Sequence, residues 1–351
     1  MGENVKCILV TAGQGAATDV SLVNLRRWWR PLYAVEVFIN ALAIAWMFRS
    51  SNSSRGNWDI FHVHGAANLA PLLAAVITKH PIIWHMHEAL PELSPLAKIG
   101  AWLVKSSRHT KLSVSEKSAQ ELGLPSMPII PCPVDTEFWQ PAPGSDCFKD
   151  KERGAAIEIL AIGNLNPIKG MDLLLRSMLS VPHPMHLRIV GALLDTHSAY
   201  FLQLKSLAGE LAVRRSDVLV EFLGWCDSES IRGLLDASDL FVLPSLNETG
   251  PIVLFEAMAM AKVCVAADVG AVSRTLGNMQ QSLIFRPNDC VQLSSALKRA
   301  MSLSSVERRK MGFANREQIR LLHSPEKIGS QMLQAYANVL HERTFSTQVA
   351  R

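Results

Sequence analysis

The feature that most constrains this chain is a succession of short, continuously apolar runs separated by longer segments of helical period. Leu240-Phe241-Val242-Leu243 and Val263-Cys264-Val265-Ala266-Ala267 show no alternation with polar residues. A strand with one wet face alternates. A strand without alternation is covered on both faces, as in a parallel sheet flanked by helices. The runs fall into two series. Val5–Thr11, Ile60–His64, Ile82–His87, Lys111–Ser115 and Ile129–Pro131 form the first. Glu158–Ile162, Leu187–Val190, Val218–Phe222, Leu240–Leu243, Val263–Ala267 and Ser282–Ile284 form the second. Between them Pro141, Pro143, Gly144 and the charged stretch Lys149–Arg153 break the periodicity. A length of 351 residues has room for about two domains. The expectation is two doubly wound α/β domains, each taking ligand at the carboxyl ends of its strands.

Composition narrows the partners. The net charge of +4 is weak for this length and argues against nucleic acid. Cys7, Cys132, Cys147, Cys226, Cys264 and Cys290 are scattered, with no Cys-x-x-Cys pair. That pattern suits reduced thiols in a cytoplasmic protein rather than disulfides or zinc. No signal peptide is expected, since a strand-like run begins at Val5. The longest apolar run, Leu32 to Phe48, contains Glu36 and Asn40. It reads as a buried or interfacial helix rather than a membrane span. Asp19–Arg30 and Tyr33–Arg49 have helical character around Pro31, with a strand at Tyr33–Ile39 as the alternative. Glu326–Glu342 reads as a terminal helix and the tail from Arg343 as loose.

The chemistry concentrates in Pro244–Ala259. Glu248 and Glu256 bracket Thr249-Gly250-Pro251, which opens an apolar helix with Pro251 in its first turn. Unpaired N–H groups at a helix start attract an anion, and carboxylates accept hydrogen bonds from hydroxyls. Together they suit a sugar joined to a ribose through a diphosphate. Capping or a solvated helix face is the plainer reading of the same acids. Lys169 follows a strand and loop and precedes the helix Met171–Leu179. A cation there opposes the helix dipole, which suggests a task such as holding the diphosphate. Gly13 and Gly15 lie in the turn after the first strand, where backbone can approach a ligand or simply turn. His87 ends an apolar strand, the usual place for a ligand, with His85 expected on the opposite face. Glu88 ranks lower as a site residue. His62 and His64 lack a carboxylate or cysteine to complete a metal set and read as structural or acceptor-side. Arg26, Arg27 and Arg30 around Trp28-Trp29 suit a membrane interface or ordinary helix packing. Lys98, Lys105, Arg108 and Lys111 form a second basic stretch.

Taken in order, these segments resemble the family 4 retaining glycosyltransferases of GT-B fold. The Glu248-x7-Glu256 segment resembles that family's signature. So do Asp59–Gly65, Trp84–Glu88, Pro131–Trp139, Gly163–Gly170 and Phe222–Trp225, over roughly residues 5 to 340. The resemblance implies two Rossmann-like domains facing a central cleft. Residues 1–150 would bind the acceptor and 151–325 the nucleotide sugar. The helix 326–342 would pack back on the first domain, and 343–351 would form a tail.

The resemblance also implies roles. Glu256 would hold the ribose hydroxyls, Glu248 the hexose hydroxyls and Lys169 the diphosphate. Trp225 and Cys226 would border the base, and His87 would approach the reacting carbon. Gly13 and Gly15 would face the donor phosphates or the acceptor. No cofactor and no metal ion are implied, since Lys169 and the helix start neutralise the diphosphate. The reaction implied is retaining transfer from a nucleotide diphosphate sugar to a carbohydrate, lipid-linked or small-molecule acceptor, in polysaccharide or glycolipid biosynthesis. A peripheral contact with the inner face of a membrane would fit a lipid-linked acceptor. One position departs from the pattern. Asn164 stands where the family has Arg, so charge at the diphosphate is reduced unless His183, His186, Arg188 or Arg274 supplies it. The alternative is a catalytically silent GT-B binding or scaffold protein.

Overall fold

The computed structural model describes residues 7–11, 41–42, 44–45, 59–65, 70–78, 80–87, 102, 104–142, 154–193, 195–277 and 282–349. Gly13, Gly15, Glu88, Lys98, the Trp28-Trp29 cluster and the expected helices at 19–30 and around 33–40 lie outside these residues, as do Pro143, Gly144 and Lys149–Arg153.

Contacts divide the chain into two units: Met1–Pro131 with Gly329–Arg351, and Cys132–Ile328. Residues 132–142 therefore go with the second unit, ahead of the boundary expected at 150/151. Val134 and Trp139 are buried in its core. The Arg316 guanidinium donates to the carbonyls of Thr136, Trp139 and Ala259, tying the segment down.

In the first unit, strands β1 (Cys7–Thr11), β2 (Ile60–His64), β3 (Ile82–Met86) and β4 (Thr110–Ser113) form a parallel sheet in the order β1-β2-β3-β4. Phe61, Val63, Ile82, Trp84 and Met86 pack with Ala70, Ala74 and Ala75 of helix α1 (Ala70–Thr78). Helix α2 (Glu116–Glu121) follows β4, capped by Ser115, which accepts from the Ser118 N–H. The expected strand at 129–131 reduces to a single bridge between Ile129 and Ser113.

The second unit holds strands β5 (Ile157–Ile162), β6 (Met185–Val190), β7 (Val218–Gly224), β8 (Leu240–Leu243), β9 (Val263–Ala267) and β10 (Ile284–Phe285). All neighbours are parallel, in the order β10-β9-β8-β5-β6-β7. The chain runs outward from β5 through β6 to β7, then returns to β8 and runs outward the other way. The reversal between β5 and β8 is the topological switch point, where open α/β sheets form a crevice beyond the strand ends. Helices α3 (Met171–Met178), α4 (Ser198–Arg214), α5 (Ser228–Ala237), α6 (Ile252–Ala259), α7 (Val272–Leu276), α8 (Cys290–Met301) and α9 (Ser305–His323) connect and cover the strands. β8 and β9 are buried along their whole length, as their unbroken apolar runs require. α9 begins with a capping box between Ser304 and Glu307.

The last helix, α10, runs from Pro325 to Val349. The tail expected to be loose from Arg343 is thus helical through Val349, because Pro325 starts the helix and neither Gly nor Pro follows Gly329 to stop it. Among the described residues no helix is long and apolar enough to cross a membrane.

Candidate functional site

Two loops leave the sheet at the switch point of the second unit. Gly163–Gly170 follows β5, and Pro244–Pro251 follows β8. The first ends in a short 3₁₀ turn, Pro167–Lys169, capped by Asn166, whose side chain accepts from the Lys169 N–H. Gly170 then adopts φ 63°, and the chain enters α3. A Cβ on Gly170 would lie 2.2 Å from the Pro244 carbonyl oxygen. Leu246 N–H donates to the Ile168 carbonyl at 2.7 Å. Backbone contact thus locks the loops together. A third glycine completes the packing. Gly270, φ 57°, lets the loop after β9 pass beneath Glu248 and Thr249, whose carbonyl oxygens would each be 2.6 Å from a Cβ there.

This packing brings Lys169 to Glu248. Lys169 Nζ lies 2.6 Å from Glu248 Oε1, with the side chains 26% and 13% exposed. Ser245, itself buried, donates its hydroxyl to the same oxygen at 2.9 Å. Both bonds fall on Oε1, leaving Oε2 available to accept from a ligand hydroxyl. Thr249 and Gly250 are half-buried beside it. Pro251 sits one residue ahead of α6 rather than inside its first turn, with φ −74° and ψ 89°. The N–H groups of Leu254 and Phe255 donate to the Pro251 carbonyl, while those of Ile252 and Val253, ahead of the first intrahelical bond, can face an anion.

Glu256 lies on α6 one turn further on and is half-buried. Burial pushes its carboxyl up to about 7. Among the described residues no side chain pairs with its carboxylate, a vacancy suited to hydroxyl donors. Asn164 is exposed in the loop after β5. Of the cations that could make up its missing charge, three lie elsewhere. His186 and Arg188 pair with Glu158 and Glu221 across β5, β6 and β7. His183 precedes β6, at the amino ends of the strands. Arg274, on α7 after β9, remains on the carboxyl side, near enough to His323 to help lower its pKa.

Trp225 follows β7 and is 74% exposed. Cys226 is half-buried against the core. Gly224, φ 73°, turns the chain between β7 and Trp225, and its carbonyl accepts from the Gly191 N–H at the end of β6. The carboxyl edge at β6 and β7 is thus lined by backbone and an exposed ring, the materials of a flat aromatic site.

In the first unit His87 stands just beyond β3. It shares a hydrogen bond between its Nε2 and Nδ1 of His64, at 2.7 Å. Burial, with smaller effects of His85 and His64, lowers its pKa to about 3, so the ring is neutral near pH 7. His85 lies on the same face as His87, with ring centroids 4.6 Å apart. The expected opposite face is wrong, because residues two apart on a strand share a face.

Sequence reasoning missed Ser245 and the packing glycines. Ser245, three residues ahead of Glu248, carries a local signal for a supporting hydroxyl. Gly170 carries none, because its partner Pro244 is set by sheet order.

The family of glycosyl transferases group 1 matches residues 156–302. The chain is 25% identical over 259 residues to D-inositol 3-phosphate glycosyltransferase of Stackebrandtia nassauensis, a match covering 70% of this chain and 56% of that protein. It is 29% identical over 217 residues to alpha-maltose-1-phosphate synthase of Mycolicibacterium smegmatis, covering 59% and 55%. The matches thus span little over half the length of these curated relatives. Among solved structures, Anabaena HepE in complex with UDP aligns with TM-score 0.73 at 16% identity, over 88% of this chain and 84% of that one. Sucrose-phosphate synthase from Thermosynechococcus elongatus aligns with TM-score 0.70 at 20% identity, over 87% and 79%. The fold is GT-B, with Rossmann-like α/β units, and residues 156–302 match the group 1 glycosyl transferases.

Proposed function

We propose, for a chain of GT-B fold whose second unit matches the group 1 glycosyl transferases, that it moves a sugar from a nucleotide diphosphate sugar to an acceptor hydroxyl, with retention of configuration. The observation that carries this reading is the Lys169–Glu248 pair at the switch point of the second unit. A diphosphate reaching that point meets Lys169 and the N–H groups that begin α6. Glu248 Oε2 and the Glu256 carboxylate offer acceptors to hydroxyls on either side, the hexose at Glu248 and the ribose at Glu256. Trp225 and Cys226 border the base, and Asn164 adds a neutral donor beside the phosphates. Anabaena HepE has been crystallised with UDP-glucose, which makes UDP-sugars the first donors to test.

In the reaction the bond from the anomeric carbon to the diphosphate oxygen breaks, and the acceptor oxygen bonds to the same face of that carbon. The acceptor proton passes to the departing diphosphate. The protein then contributes position and charge stabilisation of the leaving group rather than a nucleophile. The neutral His87 ring contributes a hydrogen bond, not a proton, at pH 7. The first unit takes the acceptor, a carbohydrate, small molecule or lipid-linked alcohol.

The test is incubation with UDP-, GDP- and ADP-sugars and a panel of acceptors, reading nucleoside diphosphate release and the product's anomeric configuration by NMR. Transfer with the donor's configuration supports the reading. Transfer with inversion overturns retention, and no transfer alongside no donor binding overturns the assignment as an enzyme.

A further inference from the structure

Four histidines occupy one face of the first unit's sheet, at its carboxyl edge. His62 and His64 lie two apart on β2, and His85 and His87 stand two apart at the end of β3. The strand register sets His64 opposite His85. Period-two alternation therefore turns all four rings the same way. His62 and His64 stack with centroids 4.4 Å apart, and His85 lies 5.6 and 5.5 Å from them. One ring nitrogen from each of these three lies within 4.8 Å of the other two.

The rings are already oriented from behind. His85 Nε2–H donates to the Ile130 carbonyl at 2.8 Å, which leaves Nδ1 as a bare lone pair. His62 Nδ1 meets the Tyr336 hydroxyl at 2.8 Å, and His64 Nδ1 meets His87 Nε2 at 2.7 Å. The opposite nitrogens, His62 Nε2, His64 Nε2 and His85 Nδ1, are buried and have no hydrogen-bond partner among the described residues. Three buried, unpartnered nitrogens on stacked rings are an unstable arrangement on their own: each has lost water without gaining a bond. A cation that accepts lone pairs satisfies all of them at once.

We propose that His62, His64 and His85 form a binding site for a divalent late first-row metal ion, zinc being the fitting case. Three neutral imidazoles with the remaining nitrogens held by a carbonyl, a hydroxyl and another histidine are the donor set and outer shell such an ion takes. Tetrahedral bonds of about 2.0–2.1 Å need ligand nitrogens ~3.3 Å apart. The present nitrogens lie within 4.8 Å of one another, so binding requires the rings to turn toward the ion. With three protein ligands the fourth position stays open to a water or to an oxygen of a bound molecule. All the residues belong to the first unit, so this proposal is independent of the diphosphate site.

The experiment uses the full, untagged chain, stripped with a chelator and dialysed against Zn²⁺ or Co²⁺ at micromolar concentration. The expected result is one ion per chain, a Co²⁺ visible spectrum typical of tetrahedral nitrogen coordination, and a raised melting temperature. His62→Gln and His85→Gln should each weaken binding at least tenfold, while His183→Gln, in the second unit, should not. Fewer than about 0.2 ions per chain for the wild type would overturn the proposal, as would an octahedral Co²⁺ spectrum. Binding unaltered in folded His62→Gln and His85→Gln would overturn it too. Should those variants not fold, X-ray absorption on the zinc-loaded wild type decides: three imidazole nitrogens support the site, and fewer contradict it.

Discussion

Glu248→Gln separates two jobs that the switch-point geometry gives one carboxylate. In the free protein Glu248 Oε1 holds Lys169 at 2.6 Å, so the lysine's charge is already spent. An arriving diphosphate must compete for it. A charge-assisted hydrogen bond of this kind contributes about 1.5–3 kcal/mol. The glutamine keeps a carbonyl for Lys169 and Ser245 but removes the negative charge. Repulsion between that charge and a phosphate charge, taken at ~8 Å with an effective dielectric constant of ~40, is about 1 kcal/mol. Two phosphate charges give roughly 1–2 kcal/mol, or about 5–30-fold tighter binding of the bare nucleoside diphosphate. The hexose hydroxyl loses its charged acceptor in the same variant, so turnover should fall by at least about tenfold. Calorimetry with the nucleoside diphosphate, set beside steady-state transfer, reads both effects. Tenfold weaker binding of the bare diphosphate by a folded Glu248→Gln protein would refute the reasoning, because it would make Glu248 a nucleotide ligand rather than the diphosphate's competitor for Lys169.

Glu256 carries a pH signature. Its carboxyl rises from 4.5 to about 7 on burial, so between those values the folded state holds a proton that the unfolded state releases. Its contribution is fully present below pH 4.5 and lost as pH rises through 7, at most about 3 kcal/mol. Glu256→Gln should therefore raise the melting temperature relative to wild type at pH 8 but not at pH 4.5; equal effects at both would contradict the burial argument. Hydroxyls bonding to the carboxylate should also release a fraction of a proton on nucleotide binding at pH 6.5, seen as buffer-dependent calorimetric enthalpy. Gly191→Ala places a Cβ 1.9 Å from the Gly163 carbonyl oxygen, a backbone clash that should cost at least about 2 kcal/mol in urea unfolding and loosen the loop carrying Lys169. Asn164→Arg should tighten diphosphate binding about tenfold, because His186 and Arg188 are committed to Glu158 and Glu221. Weaker binding would instead identify Arg274 as the cation already in place.

The second unit's strands were legible where the sequence is apolar without interruption. Leu240–Leu243 and Val263–Ala267 emerge at the residues expected. β6 begins two residues earlier than expected, at Met185, because His186 and Arg188 interrupt its apolar run. Those polar residues belong inside the sheet, since Glu158 and Glu221 on the neighbouring strands neutralise them, a pairing that spacing along one strand cannot reveal. Lys169 and Glu248 could be named separately, but their 2.6 Å approach depends on Gly170 passing Pro244, which depends on β5 lying beside β8. The sequence pairs His62 with His64, while His85 is expected on the face opposite His87, although alternation puts those two together; the register of β2 against β3 then makes the four rings one group.

The proposed function requires the loops after β5 and β8 to hold a nucleotide diphosphate. Titration of the wild type, Lys169→Ala and Glu256→Ala with UDP, GDP and ADP and their sugars tests it most directly. The prediction is one site per chain for one of the three bases, weakened at least about tenfold by Lys169→Ala, and by roughly 1.5–3 kcal/mol in Glu256→Ala. Absence of binding by the wild type at about 1 mM for every nucleotide, an affinity weaker than roughly −4 kcal/mol, would contradict the claim. Binding left unchanged by both substitutions would contradict it equally.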